Sequence, residues 1–137
     1  MSYLIDTNVI SELRRPSPDA GVVEWFTQRP ASSLFLSVLT LGEIRKGIEK
    51  LKDKHQQMEL IDWLENDLLL FFSGRILSID SAVADRWGRL VGAAGRTVSA
   101  IDSLLAATAV EHDLILITRN ITDIEGLTVM TYNPWQQ

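Results

Sequence analysis

Cysteine is absent from the 137 residues. No disulfide framework can form, and no thiolate can act as nucleophile or metal ligand. A cysteine-free chain is compatible with a reducing cytoplasm. Histidine is scarce: His55 and His112 are the only two, far apart in the sequence, which argues against a conventional zinc enzyme. Long hydrophobic runs are missing. Apolar stretches such as Leu68–Phe72 fall far short of the ~20 residues that a bilayer helix needs. The opening Met1-Ser2-Tyr3-Leu4-Ile5-Asp6 meets a carboxylate after three apolar residues, unlike a secretory leader. The expectation is a cytoplasmic protein with no membrane partner. Internal repeats, low-complexity tracts and Gly/Ser linkers are also lacking, so a single domain over 1–137 is expected.

Ordinary globular material is present: 46% hydrophobic and 23% charged residues. The net charge of −5 excludes a simple basic nucleic-acid binder. It does not exclude a nuclease whose carboxylates hold divalent cations, because bound metal reverses the local sign.

Short apolar runs alternate with helical patterns. Tyr3-Leu4-Ile5, Leu34-Phe35-Leu36, Ile76-Leu77-Ser78-Ile79 and Leu114–Ile117 read as buried strands, and Thr128–Thr131 as a weaker one. Between them, helices are expected over Asn8–Arg14, from the Asp19 cap to about Gln28, from Thr40 to about Lys54, from Gln56 to Phe72, from Asp80 or Ser81, and from Ser99. Arg15-Pro16-Ser17-Pro18 and Phe72-Ser73-Gly74-Arg75 read as turns. Strands alternating with helices predict an α/β fold around a mostly parallel sheet.

Ligands of such sheets bind beyond the carboxyl ends of the strands. Asp6, Thr7 and Asn8 follow the first strand, and Thr118-Arg119-Asn120 with Asp123 follow Leu114–Ile117. Glu43 and Asp102 fall in the first turns of two helices. Each acid also has an ordinary explanation. Asp6 can be a helix N-cap, Thr40-Leu41-Gly42-Glu43 and Ser99-Ala100-Ile101-Asp102 fit capping boxes, and Asp123 can form a local turn. Taken together, four acids at one sheet end form a costly cluster unless a cation neutralises it. An all-oxygen set suits Mg²⁺ or Mn²⁺, and such ions activate water and stabilise the leaving oxygen of a phosphodiester.

At these positions the chain resembles a known family. Tyr3-Leu4-Ile5-Asp6-Thr7-Asn8 is similar to the opening of PIN-domain ribonucleases, notably VapC-type toxins of bacterial toxin–antitoxin pairs. Three more blocks agree in order: Ser37–Ile44 around Glu43, Ile101–Ala109 around Asp102, and Leu116–Asp123. The ending Tyr132-Asn133-Pro134-Trp135 looks like the FitB-like branch. The resemblance covers essentially the whole chain. It implies a five-stranded parallel sheet flanked by helices and a metal-dependent endoribonuclease leaving 5′-phosphate and 3′-hydroxyl ends.

Carried over residue by residue, Asp6, Glu43 and Asp102 are the acids, with Asp6 and Asp102 as direct metal ligands for one or two ions. Where many members have a fourth aspartate this chain has Asn120. Asp123, three residues on, takes the fourth role, and Asn120 a hydrogen-bonding one. Thr7, Asn8 and Thr118 would support the carboxylates. Arg14, Arg15, Arg45, Lys46 and Arg119 are candidates for RNA-phosphate contacts, although each taken singly is better read as an ordinary solvated face. The resemblance further implies a VapB-type antitoxin, a homodimer and toxin–antitoxin hetero-oligomers. It also implies an antitoxin arginine inserted among the carboxylates. A partner patch is expected at Trp25, Trp63, Leu68, Leu69 and Phe72, in a groove made by the first four helices. Two other readings stand beside the toxin. A PIN fold serving only as an inert binding module is one. A Mg²⁺-binding phospho-receiver domain is the other, which Asp6-Thr7-Asn8 and Thr118-Arg119 fit poorly.

Overall fold

The computed structural model describes residues 1–136. The strands are β1 (Tyr3–Ile5), β2 (Leu34–Ser37), β3 (Ile76–Leu77), β4 (Ile115–Ile117) and β5 (Thr131–Tyr132). The helices are α1 (Thr7–Leu13), α2 (Ala20–Thr27), α3 (Val38–Glu49), α4 (Lys54–Asp62), α5 (Leu69–Phe71), α6 (Ser81–Ala94) and α7 (Ala100–Glu111). A π-helical turn, Trp63–Leu68, joins α4 to α5. The strands pair in parallel in the order β3-β2-β1-β4-β5. The expected α/β architecture and five-stranded parallel sheet are what the chain forms.

The sheet separates two apolar layers, and the period of two along each strand decides which residue enters which. Ile5, Leu36 and Ile117 join Val9, Ile10, Val22, Ile48 and Phe72 on the α1–α5 side. Leu4 and Leu116, partners across the β1–β4 ladder, join Leu105, Ala106 and Ala109 of α7 on the other. The alanines let α7 approach the sheet closely, and α6 packs along α7, where the Trp87 indole N–H donates to the Ser103 hydroxyl at 2.8 Å.

Element boundaries differ from expectation where side chains outbid pattern. α3 begins at Val38, two residues before Thr40, because the Ser37 hydroxyl accepts the Leu39 N–H at 3.0 Å and caps the helix. It ends at Glu49 rather than Lys54, since Asp53 caps α4 by accepting the His55 and Gln56 N–H groups. The last strand is Thr131–Tyr132, not Thr128–Thr131. Val129 instead turns back, its N–H bonded to the Leu127 carbonyl, and packs on the α7 layer.

Leu116 is 1% exposed at the centre of the sheet. Leu116→Ala is expected to lower the unfolding free energy by about 2–5 kcal/mol in urea titration. Met58→Ala, at a side chain largely in solvent, should stay within about 0.5 kcal/mol of the parent.

Candidate active site

The strand order makes β1 central, with β2 and β4 on its two sides. The chain runs outward from β1 through β2 to β3, then crosses to β4, so the gap between the β1 and β4 ends is the topological switch point where such sheets bind ligands. Asp6 stands there. Its N–H bonds to the Ile117 carbonyl of β4 at 3.0 Å. Its carboxylate caps α1 through the Thr7 N–H at 2.7 Å and accepts the Thr118 hydroxyl at 2.7 Å. The single Thr118 proton is thereby committed. Its oxygen then accepts from the Asn120 N–H at 3.0 Å and from Asn8 Nδ2 at 3.5 Å. Asn8 Nδ2 also lies 3.3 Å from Asp6 Oδ2. Asp6 is both the helix cap and the centre of the site.

Glu43 comes from α3, beside β1. The Thr7 hydroxyl donates to Glu43 Oε1 at 2.5 Å and lies 3.1 Å from the Thr40 hydroxyl. A carboxylate only accepts, so the Thr7 proton goes to Glu43 and Thr40 donates to Thr7. The capping box expected at Thr40 and Glu43 is thus replaced: both residues lie inside α3 and face Thr7. The capping box expected at Ser99 and Asp102 is only half formed, because the carboxylate returns to the Ser99 hydroxyl and not to its main-chain N–H. Ser99 donates to Asp102 Oδ2 at 2.8 Å, and the Asp102 N–H returns to the Ser99 hydroxyl at 3.3 Å.

These acids share one open cavity of about 460 Å³ lined by Asp6, Thr7, Asn8, Glu43, Asp102 and Asn120, with Ser11, Glu12, Arg15, Arg119 and Trp135 around them. Asp6 is 6% exposed. Its burial pushes the carboxyl pKa above the usual range; the bonds from Thr118 and Thr7 oppose this, and the charges of Asp102 and Glu43 add to it.

Asp123 does not line the cavity. It lies in a 3₁₀ turn, Thr122–Ile124, where Arg96 holds its main-chain carbonyl at 3.0 Å. Asn120 reaches the cavity instead. Of the five expected phosphate contacts, Arg15 and Arg119 line it. Arg14 lies over the Trp63 ring at 5.4 Å, Arg45 pairs with Glu65 at 2.6 Å, and Lys46 does not line it. Ser11, Glu12 and Trp135 went unassigned in the sequence. The i,i+3 spacing of Glu12 and Arg15 was the visible signal for one of them.

The expected partner patch is corrected in part. Trp25 is interior, edge-on to Tyr3 and stacked with Tyr132, with the Arg29 guanidinium 4.2 Å from its ring centre. Leu68 and Phe72 are buried too. Solvent instead reaches Leu69, Leu70 and Phe71. A cleft lined by Ile10, Leu13, Phe26, Trp63, Leu68 and Phe71 separates α1 and α2 from the π turn and α5.

Among the described residues no three acids or imidazoles stand close enough to cage an ion unaided. The donor set nevertheless fits Mg²⁺, which keeps several waters and takes only one or two carboxylates. All the offered ligands are oxygens, and Asn8 Oδ1 is buried without a partner beside Asp6. An unpaired buried acceptor is costly, and a donor brought within its reach beside Asp6 would offset that cost. No helix of the described residues is long and apolar enough to cross a membrane.

The family model for the PIN domain matches residues 3–122. Toxin FitB of Neisseria gonorrhoeae is 36% identical over 135 residues, covering 96% of this chain and 97% of the relative. VapC ribonuclease Y4jK of Sinorhizobium fredii is 31% identical over 136 residues, covering 97% of each. Among solved structures, FitAcB from Neisseria gonorrhoeae superposes with a TM-score of 0.94 at 36% identity, covering 98% of this chain and 99% of that one.

The raised pKa of Asp6 has a consequence for stability. Between the unfolded carboxyl pKa of about 3.9 and the higher folded one, the folded chain holds a proton that the unfolded chain has lost. Stability from this site is therefore greatest at low pH, falls as pH rises to the folded pKa, and then levels off. Asn at this position escapes that penalty. In EDTA, Asp6→Asn is expected to unfold at higher urea than the parent near pH 7, with the gap closing towards pH 4. A gap constant across that range would contradict the assignment.

Proposed function

Because the chain belongs to the PIN domain family, we propose that it is the ribonuclease toxin of a toxin–antitoxin pair, a hydrolase of RNA phosphodiester bonds. We further propose dependence on a divalent cation, Mg²⁺ or Mn²⁺, held by Asp6 and Asp102. The observation that carries this reading is the buried Asp6 carboxylate at the switch point, sharing a cavity with Glu43, Asp102 and Asn120. Nearby negative charge of this kind destabilises a fold unless a cation offsets it.

Asp6 and Asp102 would hold the cation, which would supply Lewis acidity to acidify water and offset charge building on the phosphodiester. The chain's own residues do the rest. Thr118 and the Thr7 N–H fix the Asp6 oxygens, so the ligand is pre-oriented. Glu43, held by the Thr7 hydroxyl, orients the attacking water and accepts its proton. Asn120, anchored by its N–H on Thr118, takes the fourth position in place of Asp123 and offers an amide that binds substrate or water without adding charge. Asn8 Nδ2 lies against both Asp6 Oδ2 and Thr118 Oγ1 and helps to set the orientation of the carboxylate.

A VapB-type antitoxin is the proposed protein partner. The cleft lined by Phe26, Trp63 and Phe71 fits an apolar helix face. Exposed Leu69, Leu70 and Phe71 also offer area for a homodimer or a hetero-oligomer.

A panel of transfer, ribosomal and messenger RNAs incubated with Mg²⁺, with Mn²⁺ and with EDTA tests the reading. Cleavage is expected with the cations and not with EDTA, and Asp6→Asn should slow it by about 100-fold or more. Folded, antitoxin-free protein that cuts none of the panel would move the assignment to an inert binding module.

A further inference from the structure

Glu12 is a buried acid that the proposed chemistry leaves unused. It lies in the last turns of α1, is 6% exposed, and borders the same cavity as Asp6. Both of its oxygens are engaged. Oε1 pairs with Arg15 Nη1 at 3.2 Å, and Oε2 accepts the main-chain N–H of Asp19 at 2.9 Å. Asp19 is the N-cap of α2. Glu12 is therefore no free ligand for a cation. One oxygen anchors it to the next helix and the other grips a guanidinium.

Arg15 itself is largely in solvent, its side chain 65% exposed. It lines both the acidic cavity and the neighbouring groove along α3, which share Thr7, Ser11 and Glu43. An ion pair with so exposed a partner adds little to stability. Its effect is on position. A free arginine loses rotamer freedom when it binds, whereas one already held by a buried, doubly bonded carboxylate loses less. Pro16 follows and cannot continue the helix, which keeps Arg15 at the end of α1. The guanidinium left facing the cavity offers planar N–H donors matched to phosphate oxygens.

We propose that Glu12 is a positioning residue that holds Arg15 at the mouth of the acidic cavity, where Arg15 receives a backbone phosphate of the RNA strand next to the one being cut. This rests on the ribonuclease reading and names the contact that draws a polyanion towards a carboxylate-lined site.

The test uses the full chain and an RNA oligonucleotide containing the site cut by the parent protein, or a uridine-rich single strand if no cut is found. Cleavage kinetics are measured with Mg²⁺ for the parent, Arg15→Ala, Arg15→Lys, Glu12→Gln and the Glu12→Gln/Arg15→Ala double variant. Binding is measured across a salt series in an Asp6→Asn background. Gln at position 12 still accepts the Asp19 N–H but turns a donor towards Arg15; thermal melting confirms that each variant folds. Arg15→Ala is expected to raise KM about tenfold with little change in kcat. It should also reduce the slope of log affinity against log salt by about 0.7, one phosphate's worth on a single strand. Arg15→Lys should restore part of the loss. Glu12→Gln should shift KM the same way by less, and the double variant should be no worse than Arg15→Ala alone. Independent, additive losses, or a fall in kcat without a change in KM, overturn the positioning role. Cleavage indifferent to both residues overturns the phosphate contact and leaves the nuclease standing. Binding with the Arg15-dependent slope but no cleavage by the parent supports the contact and overturns the nuclease.

Discussion

The hydrogen bond from the Thr118 hydroxyl to the Asp6 carboxylate spans the centre of the sheet, and the arrangement of the site depends on it. It joins the ends of β1 and β4 at the switch point, the one seam where the chain reverses its direction of travel across the sheet. The ladder already aligns Ile5 with Ile117, so the next residue on each strand is placed by backbone geometry alone. What the side chains add is direction. A hydroxyl with one proton must give it to the carboxylate, which leaves its lone pairs for Asn120 and Asn8. A carboxylate, two amide residues and a threonine are thus ordered by one proton.

The same seam sets the electrostatic conflict. Burying Asp6 beside two further acids costs free energy, and the two bonds at Asp6 only partly offset it. Those bonds orient the oxygens, which a purely structural carboxylate on the surface would not require. The fold supports the expense through two apolar layers of buried aliphatic side chains. The electrostatic cost at the site is offset by the packing of a sheet that is covered on both faces.

Much of this was legible in the sequence. Four of the five strands are short apolar runs ending at polar residues, and parallel strands buried on both faces produce that pattern. Asp6, Glu43 and Asp102 share a cavity, and each stands in the sequence just after a strand or near the start of a helix, which is a local signal. Sequence position alone does not place Asp123, since an acid three residues from Asn120 can face the cavity or turn away. The Arg96 bonds to the carbonyls around it decide that, and they span 27 residues. Glu12 shows in the sequence only its i,i+3 spacing to Arg15; the bond from the Asp19 N–H, seven residues later, belongs to the folded chain. The start of α3 went astray because Ser37 and Thr40 are both good caps. Tertiary contact chose between them by turning Thr40 towards Thr7.

A chain of net charge −5 that acts on a polyanion must solve its binding problem locally. Global attraction is unavailable, so the relevant cations are those fixed close to the acids. Two arginines line the cavity, and each is seated by a different partner. Arg15 is gripped by a buried carboxylate, and Arg119 lies over the Trp135 ring at 4.8 Å. Neither seat neutralises its arginine fully: the Glu12 charge is shared with a main-chain N–H, and an aromatic face attracts a cation without carrying net charge. Both guanidiniums keep donors for a further anion. Arg45, by contrast, is closed in a short ion pair with Glu65, and Arg14 lies against Trp63 beside the apolar cleft. These four arginines thus divide by surroundings into two that line the acidic cavity and two that lie on the helical surface around it. Formal net charge records none of that division, which is why a sequence-wide count argues against nucleic-acid binding while the site itself is equipped for it.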